Sequence, residues 1–184
     1  MSIAFEHLET QRLKIRRIHD LDLEAYVAIR NSPEVARFEG EYTLERGRHL
    51  IESMRDKALG DPGWFQFALE EKSSGSLIGD MAFNFIELPS TAEMGYSLAP
   101  SHWGKGLAFE STTKILELAF TELGLHRVMA YTAQANQRSQ RLLDRHQFRL
   151  EGRTLESYRV NGVWVDEFQY ALLKREWQAK ITAV

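Results

Sequence analysis

Residues 95–108 read GYSLAPSHWGKGLA, and they join a predicted strand to a predicted helix through a glycine-rich turn. The helix that follows carries apolar residues at i, i+3 and i+4, so one face packs against a sheet. Its first backbone N–H groups have no partner within the helix, and the helix dipole adds positive charge at the same end. Gly104 and Gly106 allow an anion to approach the main chain closely. The turn therefore predicts a phosphate site, although the same glycines also fit a simple tight connection.

Two common nucleotide-binding motifs do not match this turn. A P-loop needs Ser or Thr after Lys105, where this chain has Gly106. The dinucleotide fingerprint needs a third glycine, and Phe109 occupies that position. We therefore expect a different phosphate ligand.

The segments on either side of the turn predict a mixed α/β (α+β) order, not the regular alternation of a doubly wound sheet. Patterns of apolar residues, caps and turns predict, in chain order, a strand over 8–18, a helix from Asp20 or Asp22 to Ser32-Pro33, a helix from Thr43 to about Gly60, a meander of strands over 64–69, 77–86 and 94–98, a helix over 106–123, a strand over 127–132, a helix over 136–145 and a hairpin over 158–165. No linker or repeat interrupts them, so we expect residues 1–184 to form one domain.

Composition excludes several classes of protein. The 184 residues are 43% hydrophobic and 27% charged, which is typical of a packed globular chain. A formal net charge of −3 provides no basic field for nucleic acid or an anionic membrane, and the longest apolar run, 25–29, is too short to span a bilayer. The N-terminus has no basic-then-apolar export signal, and the absence of cysteine fits a reducing compartment. We therefore expect a cytoplasmic protein that binds neither nucleic acid nor membrane.

The six histidines show no His-x-x-x-His or carboxylate-linked spacing, so we also expect no metal site.

The turn resembles the acyl-CoA signature of the GCN5-related N-acetyltransferase (GNAT) superfamily, Gln/Arg-x-x-Gly-x-Gly/Ala. The matching residues are SHWGKG at 101–106, and Ser101 replaces the family's Gln or Arg. The residues after the signature, through Glu110, are similar to the ribosomal-protein N-terminal acetyltransferase (RimJ/RimL-like) branch.

A second segment, NQRSQRLL at 136–143, resembles the same branch and continues to Phe148, with Gln147 where the branch usually has glycine. Further similarity at 8–13, 93–96 and 161–177 extends the resemblance over nearly the whole chain.

This resemblance implies the GNAT fold and acetyl-CoA as acyl donor. The fold is a mixed, mostly antiparallel sheet of six to seven strands, splayed at its centre and flanked by about four helices. The pantetheine arm then pairs with exposed strand backbone, and the diphosphate rests on the N–H groups of residues 102–107. The implied cofactor-binding residues are Tyr96, Ser97, Leu98, His102, Trp103, Gly104, Lys105, Gly106, Leu107, Asn136 and Ser139. Two alternatives stay open: Lys105 is either a phosphate contact or an exposed turn lysine, and Asn136 and Ser139 also fit a helix cap.

The implied reaction is direct attack of a primary amine on the thioester. Glu93 or Glu156 is the candidate base, directly or through water, and a backbone N–H near Leu98 is the candidate oxyanion donor. Many relatives have a tyrosine seven residues after the motif's asparagine, but this chain has Leu143 there. Ser139 is therefore the candidate acid, unless the thiolate leaves without a proton from a side chain.

The implied acceptor is the N-terminal α-amine of a protein or peptide, or a small amine. The alternatives are another acyl donor such as succinyl-CoA, an antibiotic or polyamine acceptor, and a CoA-binding regulatory module without activity. Exposed terminal strands make a homodimer possible.

Overall fold

The structure, a computed structural model that describes residues 3–87 and 90–182, contains eight strands and six α-helices in that part of the chain. The strands are β1 (His7–Glu9), β2 (Leu13–Arg17), β3 (Gly63–Glu71), β4 (Ser76–Glu87), β5 (Thr91–Leu98), β6 (Arg127–Ala133), β7 (Arg149–Val160) and β8 (Val163–Leu173). The helices are α1 (Leu23–Arg30), α2 (Pro33–Glu39), α3 (Leu44–Met54), α4 (Leu107–Thr121), α5 (Gln137–Arg145) and α6 (Lys174–Thr182). The predicted mixed class and mostly antiparallel sheet are confirmed, with more strands and helices than expected.

The additional elements have local causes. The opening run 8–18 folds into the hairpin of β1 and β2, because the N–H of Thr10 donates to the carbonyl of Leu13 and closes a turn. The pair Ser32-Pro33 follows the end of α1 as expected, but Pro33 also begins α2, since proline suits the first position of a helix. The sequence patterns did not predict α6.

The sheet is splayed at its centre. The strand order is β1-β2-β3-β4-β5-β6-β8-β7, and β5 with β6 is the parallel pair. Their ladder joins only Thr91–Glu93 to 127–129. From Met94 and Ala130 onward the two strands diverge, which is the central opening that we expected.

The two faces of the sheet carry separate clusters of buried side chains. Phe65 and Phe67 of β3 lie in the larger cluster with the apolar stripe of α4, and the adjacent Ala68 lies in the smaller cluster with α1 and α3. Successive side chains of a strand point to opposite faces, so the sheet is covered on both sides. Each fully buried phenylalanine contributes about 2–3 kcal/mol of apolar burial. This packing fixes the divergent ends of β5 and β6 between helices.

Candidate active site

Backbone groups of β5 point into the gap between β5 and β6. The N–H of Ala99 donates to the carbonyl of Ile78 at 2.8 Å, which sets the alternation of the antiparallel ladder between β4 and β5. In that alternation the N–H and C=O groups of Tyr96 and Leu98 face the gap, whereas those of Ser97 face β4. Trp103 Nε1 donates to the Leu98 carbonyl at 2.8 Å. The predicted backbone contact therefore narrows to Tyr96 and the N–H of Leu98, because the backbone of Ser97 pairs with β4.

A cavity of about 420 Å³ opens beside this gap. It brings together ten of the eleven residues predicted to bind the cofactor, namely Tyr96, Ser97, Leu98, His102, Trp103, Gly104, Gly106, Leu107, Asn136 and Ser139. Lys105 is not among the lining residues, and its carbonyl accepts a hydrogen bond from Arg12 Nη1 at 2.8 Å. We call this space the first cavity.

The glycine turn has the geometry of an anion site. Gly104 and Gly106 have φ values of +74° and +78°, which favour glycine, and a Cβ at Gly104 meets no described atom within 4 Å. The N–H groups of His102 and Trp103 donate to the carbonyls of Ala99 and Pro100. The predicted range of amide donors, 102–107, therefore narrows to 104–107 at the start of α4.

Glu110 fixes the start of α4 against the β1–β2 turn. Its carboxylate accepts hydrogen bonds from Thr10 Oγ1 at 2.6 Å, from the Arg12 N–H at 2.8 Å and from Arg12 Nε at 2.7 Å. Partial burial raises the pKa of Glu110, but these hydrogen bonds outweigh it and leave the pKa below its usual value. The sequence placed Glu110 next to the turn without indicating this role.

A row of arginines borders the first cavity, which the sequence patterns did not predict. Arg138, Arg141 and Arg145 project from α5 at i, i+3 and i+7, and all three line the cavity. Arg138 lies 4.4 Å from the Trp103 ring centroid, and Arg145 lies 3.7 Å from that of Phe109. The helical spacing of these three arginines in the sequence could have predicted a basic face on α5. The net charge of −3 for the whole chain gives no indication of it. Several guanidinium groups on one wall favour phosphate binding.

A second cavity, of about 940 Å³, lies between α3 and the sheet. It shares five lining residues with the first cavity: Phe38, Glu39, Tyr96, Asn136 and Ser139. The two cavities therefore meet where β5 and β6 diverge, so one molecule on each side can reach a common point.

Tyr96 and Ser139 form a hydroxyl pair at this meeting point. Tyr96 OH and Ser139 Oγ are 2.7 Å apart, and Asn136 Oδ1 accepts a hydrogen bond from the Ser139 N–H at 3.2 Å. Asn136 therefore caps α5 and also lines both cavities. Burial raises the pKa of Tyr96, although the Ser139 hydrogen bond lowers it in part, so the phenol keeps its proton at neutral pH.

The structure separates the two carboxylates predicted as bases. Glu93 is half-buried on β5, and Asn84 Nδ2 lies 3.5 Å from Glu93 Oε2. Burial raises the pKa of Glu93, and the charge of Glu167 raises it further. Glu156 is exposed on β7 with a φ of 49°, and its N–H donates to Asp166 Oδ1 at 2.8 Å. Neither Glu93 nor Glu156 is among the residues that line the two cavities.

Glu167 is a carboxylate that the sequence patterns missed. It lines the second cavity, and its Oε2 accepts a hydrogen bond from Ser157 Oγ at 2.5 Å. Glu167 pairs with Ala133 in the ladder between β6 and β8, so it lies beside the divergent end of β6. No local motif marks this position, because only the strand register brings it to the gap.

A buried ion cluster forms another part of the cavity wall. Asp80 Oδ2 accepts hydrogen bonds from Arg30 Nη2 and Gln66 Nε2, both at 2.5 Å, and Arg30 also pairs with Glu39. Burial raises the pKa of Asp80 to about 6, Arg30 opposes this shift, and the charge of Glu39 adds to it. The cluster connects α1 and α2 to the sheet, and its two carboxylates offset the positive charge of Arg30 within the second cavity.

Within the described residues, no three metal-ligating side chains cluster together, and none of the helices is long and apolar enough to span a membrane.

Comparison with known proteins identifies the class to which this fold and site belong. The family model of the acetyltransferase (GNAT) domain matches residues 12–149. "Uncharacterized N-acetyltransferase p20" from Bacillus licheniformis is 31% identical over 176 residues, covering 94% of this chain and 98% of that protein. "[Ribosomal protein uS5]-alanine N-acetyltransferase" from Escherichia coli (strain K12) is 28% identical over 192 residues, covering 92% of each. The crystal structure of a GNAT-family acetyltransferase from Bacillus anthracis has a TM-score of 0.80 at 27% identity, covering 92% of this chain and 99% of that one.

The chain belongs to the GNAT family and is an N-acetyltransferase. Members of this family use acetyl-CoA as the acyl donor.

Proposed function

We propose that this enzyme transfers the acetyl group of acetyl-CoA to a primary amine. This amine is either the N-terminal α-amine of a protein or peptide or a small-molecule amine. One observation carries the proposal: two cavities meet where β5 and β6 diverge, and the first contains the glycine turn and the arginine row. A protein N-terminus as acceptor is supported by the relative whose name gives alanine of ribosomal protein uS5 as its substrate.

The first cavity is the proposed CoA side. The amides of 104–107 and the positive end of α4 receive the diphosphate, and the α5 arginines contact phosphate oxygens. The pantetheine arm pairs with the free N–H and C=O of Tyr96, which carries the thioester towards the meeting point of the cavities. The Leu98 N–H then donates to the oxygen that becomes negative during attack.

The second cavity is the proposed acceptor side. The amine loses a proton to Glu93 through water, because Glu93 lies near the cavity-lining Glu167 but does not itself line the cavity, and the amine nitrogen forms a bond to the thioester carbon. The carbon–sulfur bond then breaks and the sulfur takes a proton. A raised pKa suits Glu93 as a base near neutral pH. Glu156 remains the second candidate, and its exposed position on β7 supports it less.

The Tyr96–Ser139 pair is the proposed proton source for the departing thiolate. Ser139 Oγ donates to the sulfur and takes a proton from Tyr96 OH, which lies 2.7 Å away, and Tyr96 regains its proton from water before the next turnover. We expect Ser139→Ala and Tyr96→Phe each to lower kcat about tenfold, below the usual effect of a general acid because a thiolate is a fair leaving group. The CoA dissociation constant, measured by calorimetry, should stay within about threefold of the wild-type value. Unchanged kcat in both variants would assign the proton to water.

Release of free thiol from acetyl-CoA tests the function itself. We expect release that depends on the amine across a panel of peptides, amino acids and polyamines, together with mass spectra that show the acetylated acceptor. Succinyl-CoA in parallel separates the acyl donors. If CoA binds tightly and no amine releases thiol, the chain is a CoA-binding regulatory module and the proposal fails.

Two further predictions accompany this function. A homodimer is supported by exposed apolar side chains on the β7–β8 hairpin, including Leu155, Val163 and Trp164. A location in the cytoplasm is supported by the absence of cysteine.

A further inference from the structure

The second cavity has an uneven distribution of charge. Apart from its tyrosines, its ionisable lining residues are Arg30, Arg46, His49, Lys57, Glu39 and Glu167. Arg30 pairs with both Glu39 and Asp80, so this buried cluster offers no free positive charge to a ligand. The remaining groups are Arg46, Lys57 and His49 on one wall, and the single carboxylate of Glu167 on another.

The basic wall belongs to α3. Arg46, His49 and Ser53 occupy one face of this helix at i, i+3 and i+7, and Lys57 follows its C-terminal end. Arg46 is held along the cavity, because its guanidinium carbon lies 4.5 Å from the Tyr42 ring centroid.

These cations lack acidic partners in the described part of the protein. Neither Arg46 nor Lys57 forms an ion pair there, whereas Arg16 is paired to both Asp22 and Glu70. The carboxylates of α3 do not line the cavity. An anion entering the cavity therefore encounters two uncompensated positive charges.

The opposite wall is suited to an amine. Glu167 pairs with Ala133 at the divergent end of β6, and it lines the cavity. Its Oε2 accepts a hydrogen bond from Ser157 Oγ at 2.5 Å, and no described residue donates to its Oε1. An ammonium or amine group fits the charge of this carboxylate and its remaining acceptor oxygen.

We propose that the acceptor is an amine that also carries an anionic group, as in an amino acid or the N-terminus of an acidic peptide. The amine lies at Glu167, and the anion lies at Arg46 and Lys57. A polyamine would place a second positive charge against this basic wall, which disfavours it. The inference rests on the proposed function, since it assigns the second cavity to the acceptor.

Acceptors that differ only in charge test this inference. We expect kcat/KM for peptides with Glu at the second or third position to be about tenfold higher than for the same peptides with Gln there. The difference from the same peptides with Lys there should be larger. Free amino acids compared with their carboxamides distinguish a small acceptor from a peptide. The preference should weaken at high salt, because the basic wall is partly exposed.

A charge reversal in the wall provides the matched protein test. The double variant Arg46→Glu with Lys57→Glu should remove or invert the preference for the anionic acceptor and leave the CoA dissociation constant unchanged. Arg48→Glu is the control, because Arg48 is exposed on the same helix and does not line the cavity.

The outcomes separate the two claims. Equal kcat/KM for the Glu and Gln peptides, or no effect of the double reversal, overturns the inference while thiol release still supports the transferase. If none of the amines tested releases thiol from acetyl-CoA, the proposed function and the inference fail together. Loss of the charge preference in the double variant alone, with Arg48→Glu like wild type, supports the inference.

Discussion

Gly104→Val is expected to weaken CoA binding by at least about 100-fold. Gly104 has a φ of +74°, and a β-branched residue there costs about 1–2 kcal/mol in backbone strain alone. The added side chain also enters the open space beside the turn, where the anion must approach the amides of 104–107. Titration calorimetry with CoA measures the dissociation constant directly.

Substitution of a second glycine separates the effect of backbone strain from the effect of blocking the anion's approach. Gly75, in the turn between β3 and β4, has a φ of +67° and also has no described atom within 4 Å of an added Cβ. Gly75→Val therefore bears similar backbone strain but lies outside both cavities. We expect it to lower the melting temperature as Gly104→Val does while binding CoA normally. Normal CoA affinity in Gly104→Val would reject the glycine turn as the diphosphate site.

Glu93→Gln is expected to lower kcat/KM about 100-fold, because the amide cannot accept the proton of the amine. Only the ionised carboxylate acts as a base, so the wild-type rate should rise as pH rises through the pKa of Glu93. Burial and Glu167 raise this pKa, which moves the rise above the range of an ordinary glutamate. The Gln variant should lack this rise in its pH profile of kcat/KM.

Two other substitutions complete this test. Glu122→Gln is the control, because Glu122 is exposed at the C-terminal end of α4 and lines neither cavity. Glu156→Gln is the rival variant: if it removes the rise and Glu93→Gln does not, the base is Glu156 acting through a rearranged β7. A rise that persists in both variants contradicts both assignments.

Several elements of the site were predictable because their signals are local. The turn at 95–108 predicted a strand, a glycine connection and a helix, and α4 begins at Leu107. Asn136 predicted a cap, and it caps α5. Asn161-Gly162 predicted a hairpin turn, and β7 and β8 flank it. Each signal depends on neighbouring residues whose backbone preferences act over a few positions.

Other features came from contacts between distant residues. Arg12 and Glu110 are 98 positions apart, and Tyr96 and Ser139 are 43 apart, yet each pair forms hydrogen bonds. Glu167 reaches the gap through the register of β8 against β6, and a shift of one residue would turn its side chain to the other face.

The sequence alone determined the class of fold, the position of the glycine turn and the start of the helices that border the site, because periodicity and capping are properties of short segments. Only the tertiary structure decided which backbone groups remain free in β5, which carboxylates lie near the gap and where the cations of α3 lie. Strand order, register and helix packing bring those groups together, and they depend on burial of side chains from the whole chain.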